Sequence, residues 1–326
     1  MTRTALRPAL AEAVEKLRAA GVASPRADAE QLAAHVLGVP RSRLLLAPLL
    51  TPEQLAELRG LVERRSQRIP LQYLIGHAAM GRIDLEVGPG VFIPRPETEL
   101  VFAWALAHLE AVRHDHVPIV VDLCTGSGAL ALAIAHARPD AEVHAVEIDP
   151  AALKWARHNA DLRIAAGDTP ITLYADDATD PALLTQLNGR ADIVVSNPPY
   201  IPVGAELDPE VAPPHPHPGR VGGGDGQGEI PGGGTPQAPV LRPPGAPPPH
   251  DPHRALFGGV DGLDVIRGLV PTIARLLRPG GGTAIEHDDS NGSALAALLA
   301  ETGAFTEIAE HPDLAGKPRF VAAVRS

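Results

Sequence analysis

The chain has 326 residues, among them 35 prolines, 32 glycines and a single cysteine, and its formal net charge is −11. One cysteine excludes an internal disulfide framework and any cysteine-rich zinc site. No apolar run reaches the roughly 18 residues of a membrane-spanning helix, and the N-terminus lacks the apolar core of a signal peptide. We therefore expect a soluble, cytoplasmic protein of about two domains, since a domain averages ~150 residues.

The front of the chain predicts helices. Apolar residues recur there at helical spacing, namely at Leu6, Leu10, Val14 and Leu17. Thr51, Pro52 and Gln54 are typical of a helix start, because the threonine and glutamine side chains can cap backbone N–H groups and proline suits the first turn. We expect a small helical-bundle domain over residues 1–80.

The spacing of apolar residues changes from helical to alternating after this domain. Ile83, Leu85 and Val87 alternate with polar residues, as in a strand with one buried face. The alternation predicts a short β-hairpin around Gly88-Pro89-Gly90. We assign residues 81–95 to a β-hairpin linker.

From residue 117 onward, apolar runs alternate with helical stretches. The runs cover residues 117–123, 143–148, 171–174, 191–196 and 282–286, and the helical stretches lie near 128–137, 150–160, 180–187 and 261–277. Such alternation is typical of an α/β fold with a mostly parallel sheet covered by helices. Runs at 305–308 and 319–324 fit an added antiparallel pair. Residues 96–326 would form this domain, with its ligand at the carboxyl ends of the strands.

Most of the surplus proline and glycine lies in one segment. Residues 212–250 contain 12 prolines and 10 glycines, a composition that supports neither a helix nor a central strand. Few apolar side chains are present to offset the entropy of ordering. We therefore predict a disordered insertion within the second domain.

A glycine-rich turn follows the first apolar run. Residues Asp122 to Gly128 read Asp-Leu-Cys-Thr-Gly-Ser-Gly and lead into a helix. Small residues at a helix N-terminus let a ligand approach the backbone, although the turn also suits a plain strand–helix connection. Glu147 ends the second run, where its carboxylate can accept hydrogen bonds from two ribose hydroxyls or simply start the next helix. Together the two features indicate a nucleoside-bearing cofactor.

The fourth run ends in Ser196-Asn197-Pro198-Pro199-Tyr200. Two prolines fix the backbone directly after a buried strand, so the Asn197 side chain and the Pro198 carbonyl are held in place. Both oxygens can accept hydrogen bonds from one planar –NH2 group, and Tyr200 can pack flat against that group. The alternative, a proline-rich turn that closes the strand, leaves the glycine-rich turn and Glu147 unexplained.

These motifs together resemble a class I S-adenosylmethionine-dependent methyltransferase that acts on a planar amino group. Other segments are similar to the PrmC/HemK family, which methylates the glutamine side chain of peptide chain release factors. Those segments are Pro70–Gly76, Phe92–Glu99, Leu256–Asp264, Leu277–Gly281 and Glu286–His287. The resemblance implies a Rossmann-like, mostly parallel seven-stranded sheet, S-adenosyl-L-methionine as methyl donor and release factors as partners. It implies no metal, no membrane and no direct contact with nucleic acid.

Carried over to this chain, the resemblance also implies a role for each motif. The methionine part of the cofactor would be wrapped by Cys124, Thr125, Gly126, Ser127 and Gly128. Glu147 would hold the ribose, and Asp176 or Asp177 would contact the adenine, unless either aspartate caps the next helix. The substrate glutamine would be held by Asn197, Pro198, Pro199 and Tyr200, of which Asn197, Pro198 and Tyr200 are catalytic and Asn197 also contacts the cofactor.

The chain departs from the family pattern in three places. Cys124 stands where many methyltransferases have glycine, and Asn291 stands where relatives often have glutamine, so the role of that position is open. The insertion separates residues 208–211 from 250–257, which are continuous in relatives. It would open a loop beside the substrate site.

Two alternative functions stay open. One is methylation of adenine in DNA or of a ribosomal-protein glutamine by the same motif, and the other is an inactive cofactor-binding module spoiled by the insertion. Residues 1–86 hold 12 Lys or Arg against 9 Asp or Glu, a net of +3, so the remaining residues carry −14. That acidic rear part disfavours DNA and favours a basic partner.

Other polar residues near these motifs carry weaker signals. The histidines that flank the insertion, which we interpret as solvated rather than metal-bound, are His215, His217, His250 and His253. Arg95 and Glu97 either line the mouth of the site or only start a helix that has Pro96 at its first position.

Overall fold

The computed structural model describes residues 4–46, 49–111, 116–205, 207, 211 and 251–326. The disorder predicted for residues 212–250 thus falls outside the described part of the chain. The elements in chain order are β1 (Thr4–Ala5), α1 (Leu6–Ala19), α2 (Pro25–Leu37), β2 (Leu49–Leu50), α3 (Pro52–Ser66), α4 (Leu71–Ile75), β3 (His77–Met80), β4 (Ile83–Glu86), α5 (Thr98–Ala111), β5 (Ile119–Leu123), α6 (Ala129–Ala137), β6 (Glu142–Glu147), α7 (Pro150–Ala165), β7 (Thr172–Ala175), β8 (Ala191–Ser196), α8 (His253–Leu256), α9 (Asp264–Leu276), β9 (Leu277–Glu286), α10 (Gly292–Glu301), β10 (Phe305–Pro312) and β11 (Pro318–Arg325). Two 3₁₀ helices cover Arg41–Leu46 and Thr185–Leu187.

The four N-terminal helices pack around a core of their own. Leu17, Leu32 and Leu58 are among its fully buried side chains. Helix α3 begins with the expected capping box: the Gln54 N–H donates to Thr51 Oγ1 at 3.2 Å, and the Thr51 N–H donates to Gln54 Oε1 at 3.0 Å. The helices predicted at the front of the chain are confirmed.

The predicted position of the β-hairpin is wrong. Strands β3 and β4 pair antiparallel with Met80 opposite Ile83, so the turn lies at Gly81-Arg82 and not around Gly88–Gly90. Gly81 has a φ of +58°, a left-handed conformation that glycine adopts at little cost. The alternating residues Ile83 and Leu85 do form a strand, but its partner precedes it in the chain.

Seven strands form the central sheet, in the order β10-β11-β9-β8-β5-β6-β7. Strands β5 to β9 pair parallel to one another, whereas β11 runs antiparallel to both β9 and β10. Helices cover both faces, with buried side chains on each. This confirms the predicted class I methyltransferase fold.

One predicted helix is absent from the described residues. Around 180–187 only the short 3₁₀ turn Thr185–Leu187 forms. Leu183 and Leu184 are both buried, and Leu184 has a φ of +49°, outside the helical region.

No helix within the described residues is both long and apolar enough to span a bilayer.

Candidate active site

A cavity of about 720 Å³ opens at the carboxyl ends of the parallel strands. Its walls include residues that follow β5, β6, β7 and β8, together with α8 and the segment before α5. The strand order reverses between β5 and β8, and such a switch point leaves a crevice in an open α/β sheet. The cavity therefore lies where the fold itself leaves room for a ligand.

The glycine-rich turn after β5 forms one wall. Gly126 and Gly128 have φ values of +60° and +84°, and Cys124 has +64°. The Thr125 N–H donates to the Val146 carbonyl at 3.0 Å, which ties the turn to the end of β6. A Cβ on Gly126 would meet nothing within 4 Å, so the space beside its backbone is open.

Glu147 is bound to this turn by its own carboxylate. Oε2 accepts the Gly126 N–H at 2.8 Å and Oε1 accepts the Asp149 N–H at 2.8 Å. Burial raises the pKa of Glu147, and these two backbone hydrogen bonds oppose the rise. A carboxylate offers about four acceptor positions, so lone pairs remain for a diol in the cavity.

Asp122 adds a buried acceptor that the sequence prediction did not include among the ligand-binding residues. Its Oδ2 accepts the Thr125 hydroxyl at 2.5 Å and the Ala131 N–H at 3.2 Å. Its Oδ1 is buried without a hydrogen-bond partner among the described residues, and Asp122 lines the cavity. An orphaned carboxylate oxygen in such a position suits a cationic donor.

The two aspartates that follow β7 differ in how their carboxylates are used. Both are exposed and both line the cavity. Asp177 Oδ1 accepts from the Thr179 N–H at 2.9 Å and from the Thr179 hydroxyl at 2.7 Å, so Asp177 caps the following turn. Asp176 accepts only the adjacent Asp177 N–H, at 2.8 Å, among the described residues.

The Asn-Pro-Pro-Tyr segment, which follows β8 beside β5, forms a neighbouring part of the cavity wall. The Ser196 hydroxyl donates to the Leu123 carbonyl at 2.7 Å and joins the ends of β8 and β5. Asn197 Nδ2 donates to Thr98 Oγ1 at 3.1 Å, and its Oδ1 has no partner among the described residues. The Tyr200 hydroxyl donates to Glu286 Oε1 at 3.0 Å. Both ends of the segment are therefore held by side chains that lie far away in the sequence.

Two glycines of the Leu256–Asp264 segment support the same wall from behind. A Cβ on Gly258 would collide with the Pro199 carbonyl oxygen, and a Cβ on Gly262 with that of Tyr200. This close backbone approach explains why the segment is rich in glycine. Asn291 Nδ2 donates to the Asp261 carbonyl at 3.0 Å, so this residue anchors the supporting loop rather than lining the cavity.

Asp251 holds the wall formed by α8 in place. It is fully buried, and its Oδ1 accepts the Ile93 N–H at 3.3 Å. The Tyr73 hydroxyl, which donates to the Val91 carbonyl at 2.7 Å, lies 3.5 Å from the same Oδ1. Its Oδ2 pairs with Arg95, whose guanidinium lies over the Phe92 ring. Arg95 is therefore a structural partner of Asp251. The helix that follows begins at Thr98 and not at Pro96, so that prediction is wrong.

Of the four histidines that flank the insertion, the structure describes only His253. His215, His217 and His250 lie outside the described residues, and the His253 ring packs on Phe257 with centroids 4.2 Å apart. Among the described residues, no group of three or more His, Cys, Asp or Glu side chains could hold a metal ion.

Two protein families match this chain. Residues 8–76 match the PrmC N-terminal domain, and residues 103–212 match the methyltransferase small domain.

Curated relatives match nearly the whole length. A protein of Mycolicibacterium smegmatis named release factor glutamine methyltransferase is 49% identical over 322 residues, which cover 99% of this chain and 98% of that protein. Proteins of the same name are 43% identical in Mycobacterium tuberculosis, covering 98% of this chain and 91% of the relative, and 41% identical in Streptomyces coelicolor, covering 96% of each.

Solved structures are more distant. A methyltransferase from Pyrococcus furiosus is 15% identical with a TM-score of 0.48, and the match covers 81% of this chain and 98% of that one. The 16S rRNA N2 G1207 methyltransferase of T. Thermophilus is 21% identical with a TM-score of 0.46, covering 77% and 50% of the two chains. Likeness at this level carries no weight for the site.

Proposed function

Since this chain belongs to the release factor glutamine methyltransferase family, we propose that it methylates the side-chain amide nitrogen of the glutamine in the Gly-Gly-Gln motif of peptide chain release factors. The enzyme is an S-adenosylmethionine-dependent methyltransferase, and S-adenosyl-L-methionine is its methyl donor. The observation that carries the proposal is the Oδ1 of Asn197, which has no hydrogen-bond partner among the residues that the structure describes and belongs to a side chain that lines the cavity.

The cavity residues fit this cofactor. We assign the ribose hydroxyls to Glu147 and the methionine part to the turn Cys124–Gly128, beside the open space at Gly126. The orphaned Oδ1 of Asp122 suits the amino group of the methionine part. We assign the adenine contact to Asp176, because Asp177 already uses its carboxylate to cap the Thr179 turn.

The substrate amide would be held by two acceptors. Asn197 Oδ1 and the Pro198 carbonyl accept its two N–H groups, and Pro199 and Tyr200 border the same pocket. This arrangement points the nitrogen lone pair at the methyl carbon and stabilises the positive charge that develops on nitrogen.

S-adenosyl-L-methionine, which the turn Cys124–Gly128 and Glu147 would hold, would supply the methyl group from its positively charged sulfur, with loss of the C–S bond in exchange for the new N–C bond. A protonated amide is very acidic, so its proton leaves to water without a dedicated base. The residues of this chain therefore act by orientation and electrostatics.

We further propose a division of labour along the chain. Residues 1–80 would orient the protein substrate, residues 81–95 would act as a linker, and residues 96–326 would carry the chemistry. The separate core of the N-terminal helices supports this division.

The walls of the cavity are acidic. They include Asp122, Glu147 and Asp176, whose carboxylates favour a cationic cofactor.

Labelled-methyl transfer to purified release factor, compared with duplex DNA and with ribosomes, tests this function. We expect label on the glutamine of the Gly-Gly-Gln motif, located by mass spectrometry of the digested release factor. Label on DNA or ribosomes with none on the release factor would overturn the proposal.

Asn197→Ala tests the proposed mechanism in the same assay. Loss of one preorganised acceptor predicts a fall of at least ~100-fold in single-turnover methyl transfer. Asn188→Ala is the matched control, because Asn188 is exposed and precedes β8, whereas Asn197 follows it. Near-normal turnover by Asn197→Ala would refute its assigned role.

A further inference from the structure

One buried asparagine on α7 has no part in the function proposed above. Asn159 is 1% exposed and makes three hydrogen bonds to backbone atoms. Its Oδ1 accepts the Glu86 N–H at 2.8 Å, and its Nδ2 donates to the Glu86 carbonyl and to the Ser127 carbonyl, at 3.0 Å each. The side chain therefore joins the end of β4 to the glycine-rich turn that follows β5.

The chemistry of these contacts requires an amide side chain. A backbone N–H only donates and a carbonyl only accepts, so the two Glu86 groups fix which way the Asn159 amide faces. The NH2 group has two protons, and the two carbonyls take one each. A carboxylate could donate to neither carbonyl, and a hydroxyl could donate to only one. Asn159 thus uses all its donors to join two separate segments of backbone.

The bond to Ser127 fixes one peptide plane of the turn. The Ser127 carbonyl accepts from Asn159, and the N–H of the same peptide bond, which belongs to Gly128, donates on the other side to the Thr125 carbonyl at 2.9 Å. Gly128 has a φ of +84°, and a Cβ there would lie 3.0 Å from Leu132 Cδ1. A peptide plane that is bound on both sides cannot rotate freely, so the turn keeps the shape in which it lines the cavity.

The hairpin that ends in β4 is itself firmly packed. Met80, Ile83 and Leu85 are buried and share one apolar cluster with Ala129 and Leu132 of α6. Helix α6 begins directly after the glycine-rich turn. The hairpin therefore provides a fixed support against which Asn159 can hold the turn.

We propose that Asn159 is a positioning residue that ties the glycine-rich turn to strand β4 and so holds the turn in the shape that binds S-adenosyl-L-methionine. The hairpin is then part of the cofactor site and more than a connection between domains. This inference rests on the proposed assignment of the cofactor to the turn and deepens it. Asn159 is not among the residues that line the cavity, so it acts through the Ser127 carbonyl.

Asn159→Ala should weaken cofactor binding. The turn would then hold its binding shape for only part of the time, and the apparent Kd rises by the inverse of that fraction. We expect the Kd for S-adenosyl-L-methionine to rise roughly fivefold to thirtyfold, as for the loss of one or two hydrogen bonds. Isothermal titration calorimetry on the full chain measures this change.

Two control variants separate this role from other effects. His158→Ala removes another contact between α7 and β4, because His158 Nε2 lies 2.8 Å from Glu86 Oε2, but it leaves the turn untouched. Leu299→Ala opens a cavity in the core at α10, no residue of which lines the site, and so lowers stability without reaching the turn. Both controls should keep the Kd within about twofold of the unsubstituted protein. A Kd of Asn159→Ala no higher than that of Leu299→Ala would overturn the inference.

Hydrogen exchange of the unsubstituted protein gives a second test that does not depend on the folding of any variant. The Glu86 N–H is bound to Asn159, and opening of that contact releases the turn, so bound cofactor suppresses the opening. With S-adenosyl-L-methionine at about 100 times its Kd, exchange of the Glu86 N–H should slow by at least ~10-fold. An unchanged rate contradicts the inference, and so does equal slowing of the Leu55 N–H, at the start of α3 in the separate N-terminal core.

A failure of the proposed cofactor assignment gives a different result from a failure of this inference. If the cofactor does not bind at the turn, Glu147→Gln and Asn159→Ala both leave the Kd unchanged, and both proposals are refuted. If only the inference is wrong, Glu147→Gln raises the Kd and Asn159→Ala does not.

Discussion

Cys124 occupies a backbone conformation that favours glycine. Its φ of +64° lies in the left-handed region, where a side chain costs roughly 1–2 kcal/mol. The residue stands at the start of the turn that Glu147 and the Val146 carbonyl hold in place. The departure from glycine noted in the sequence is therefore accommodated by the surrounding hydrogen bonds, at a cost in local stability.

Glu147→Gln should weaken cofactor binding. Both carboxylate oxygens accept backbone N–H groups, so an amide, with a single acceptor oxygen, leaves one of these donors unpaired and turns an NH2 group toward the diol. Hydrogen bonds to a charged group contribute about 1.5–3 kcal/mol, which predicts a roughly tenfold to hundredfold rise in the Kd for S-adenosyl-L-methionine. Isothermal titration calorimetry measures this change.

The matched control is Glu142→Gln, at the exposed start of the same strand β6. It should leave the Kd unchanged. An unaltered Kd for Glu147→Gln would contradict the assignment of the ribose to Glu147.

At the scale of elements, the residues that flank the insertion lie next to each other. The Asp251 N–H donates to the Val211 carbonyl at 3.4 Å, so the described chain resumes next to where it stops. Farther from the insertion on both sides, Ile201 pairs with Phe257 in an isolated parallel bridge, and the Val203 N–H donates to the Gly259 carbonyl at 2.9 Å. The segments on either side of residues 212–250 therefore pair without requiring that stretch.

Deletion of residues 213–249 should leave the enzyme active. Ala212 and His250 would then become the central residues of a β-turn, in which a carbonyl-to-N–H contact such as that between Val211 and Asp251 is the usual closing bond. Removing about 40 residues from a loop changes its closure entropy by only a few kcal/mol, in favour of the folded state. We expect methyl transfer within about threefold of the full chain and an equal or higher unfolding midpoint.

Asp251→Ala in the full chain provides the contrast. Removal of one partner from a buried ion pair costs about 3–5 kcal/mol, and here it also leaves the Ile93 N–H without its acceptor. This variant should unfold more easily and transfer methyl groups more slowly. If the deletion is the more damaging of the two changes, the insertion has a docking or regulatory role.

The pH dependence of stability belongs to the whole molecule, because it reflects which acids the fold buries. Burial raises the pKa of Asp122 from 3.8 to about 7, with Glu147 nearby adding to the rise and the Thr125 and Ala131 hydrogen bonds opposing it. A folded-state pKa above the unfolded value means that the folded state holds the proton more tightly. The stability contributed by Asp122 is thus fully present below about pH 4 and is lost as pH rises through about 7.

Asp122→Asn should remove the contribution of Asp122 to the pH dependence of stability. The asparagine oxygen can keep the Thr125 and Ala131 bonds, so the fold should be retained. Buried histidines such as His144 and His287 have lowered pKa values, so their contribution makes the folded state more stable as pH rises. For this reason the free energies of unfolding of the two proteins are compared at each pH. Without cofactor, the free energy of unfolding of the unsubstituted protein minus that of Asp122→Asn should fall between about pH 4 and 8.

Urea unfolding at a series of pH values measures this difference. Glu286, whose pKa burial also raises to about 7, is present in both proteins and cancels in the subtraction. A flat or rising difference would show that Asp122 is ionised in the folded protein across this range.

Local sequence signals determined much of this protein. The strand–helix alternation, the Thr51–Gln54 capping box, the glycine-rich turn and the Asn-Pro-Pro-Tyr ending of β8 depend on neighbouring residues, so period and turn chemistry reveal them. The same signals failed for residues 180–187, where the left-handed backbone at Leu184 interrupts the predicted helix. They also failed for the hairpin, whose first strand, β3, alternates only weakly between apolar and polar residues.

Only the tertiary structure decided which side chains support the site. Thr98 meets Asn197 across 99 positions of sequence, Tyr200 meets Glu286 across 86, and Tyr73 meets Asp251 across 178. No period or motif encodes such pairs, because they arise when separate elements pack on one sheet. The sequence by itself indicated most of the polar residues that line the cavity. The packing of distant elements decided how those residues are oriented, since a buried polar group takes its direction from whichever partner the fold brings to it.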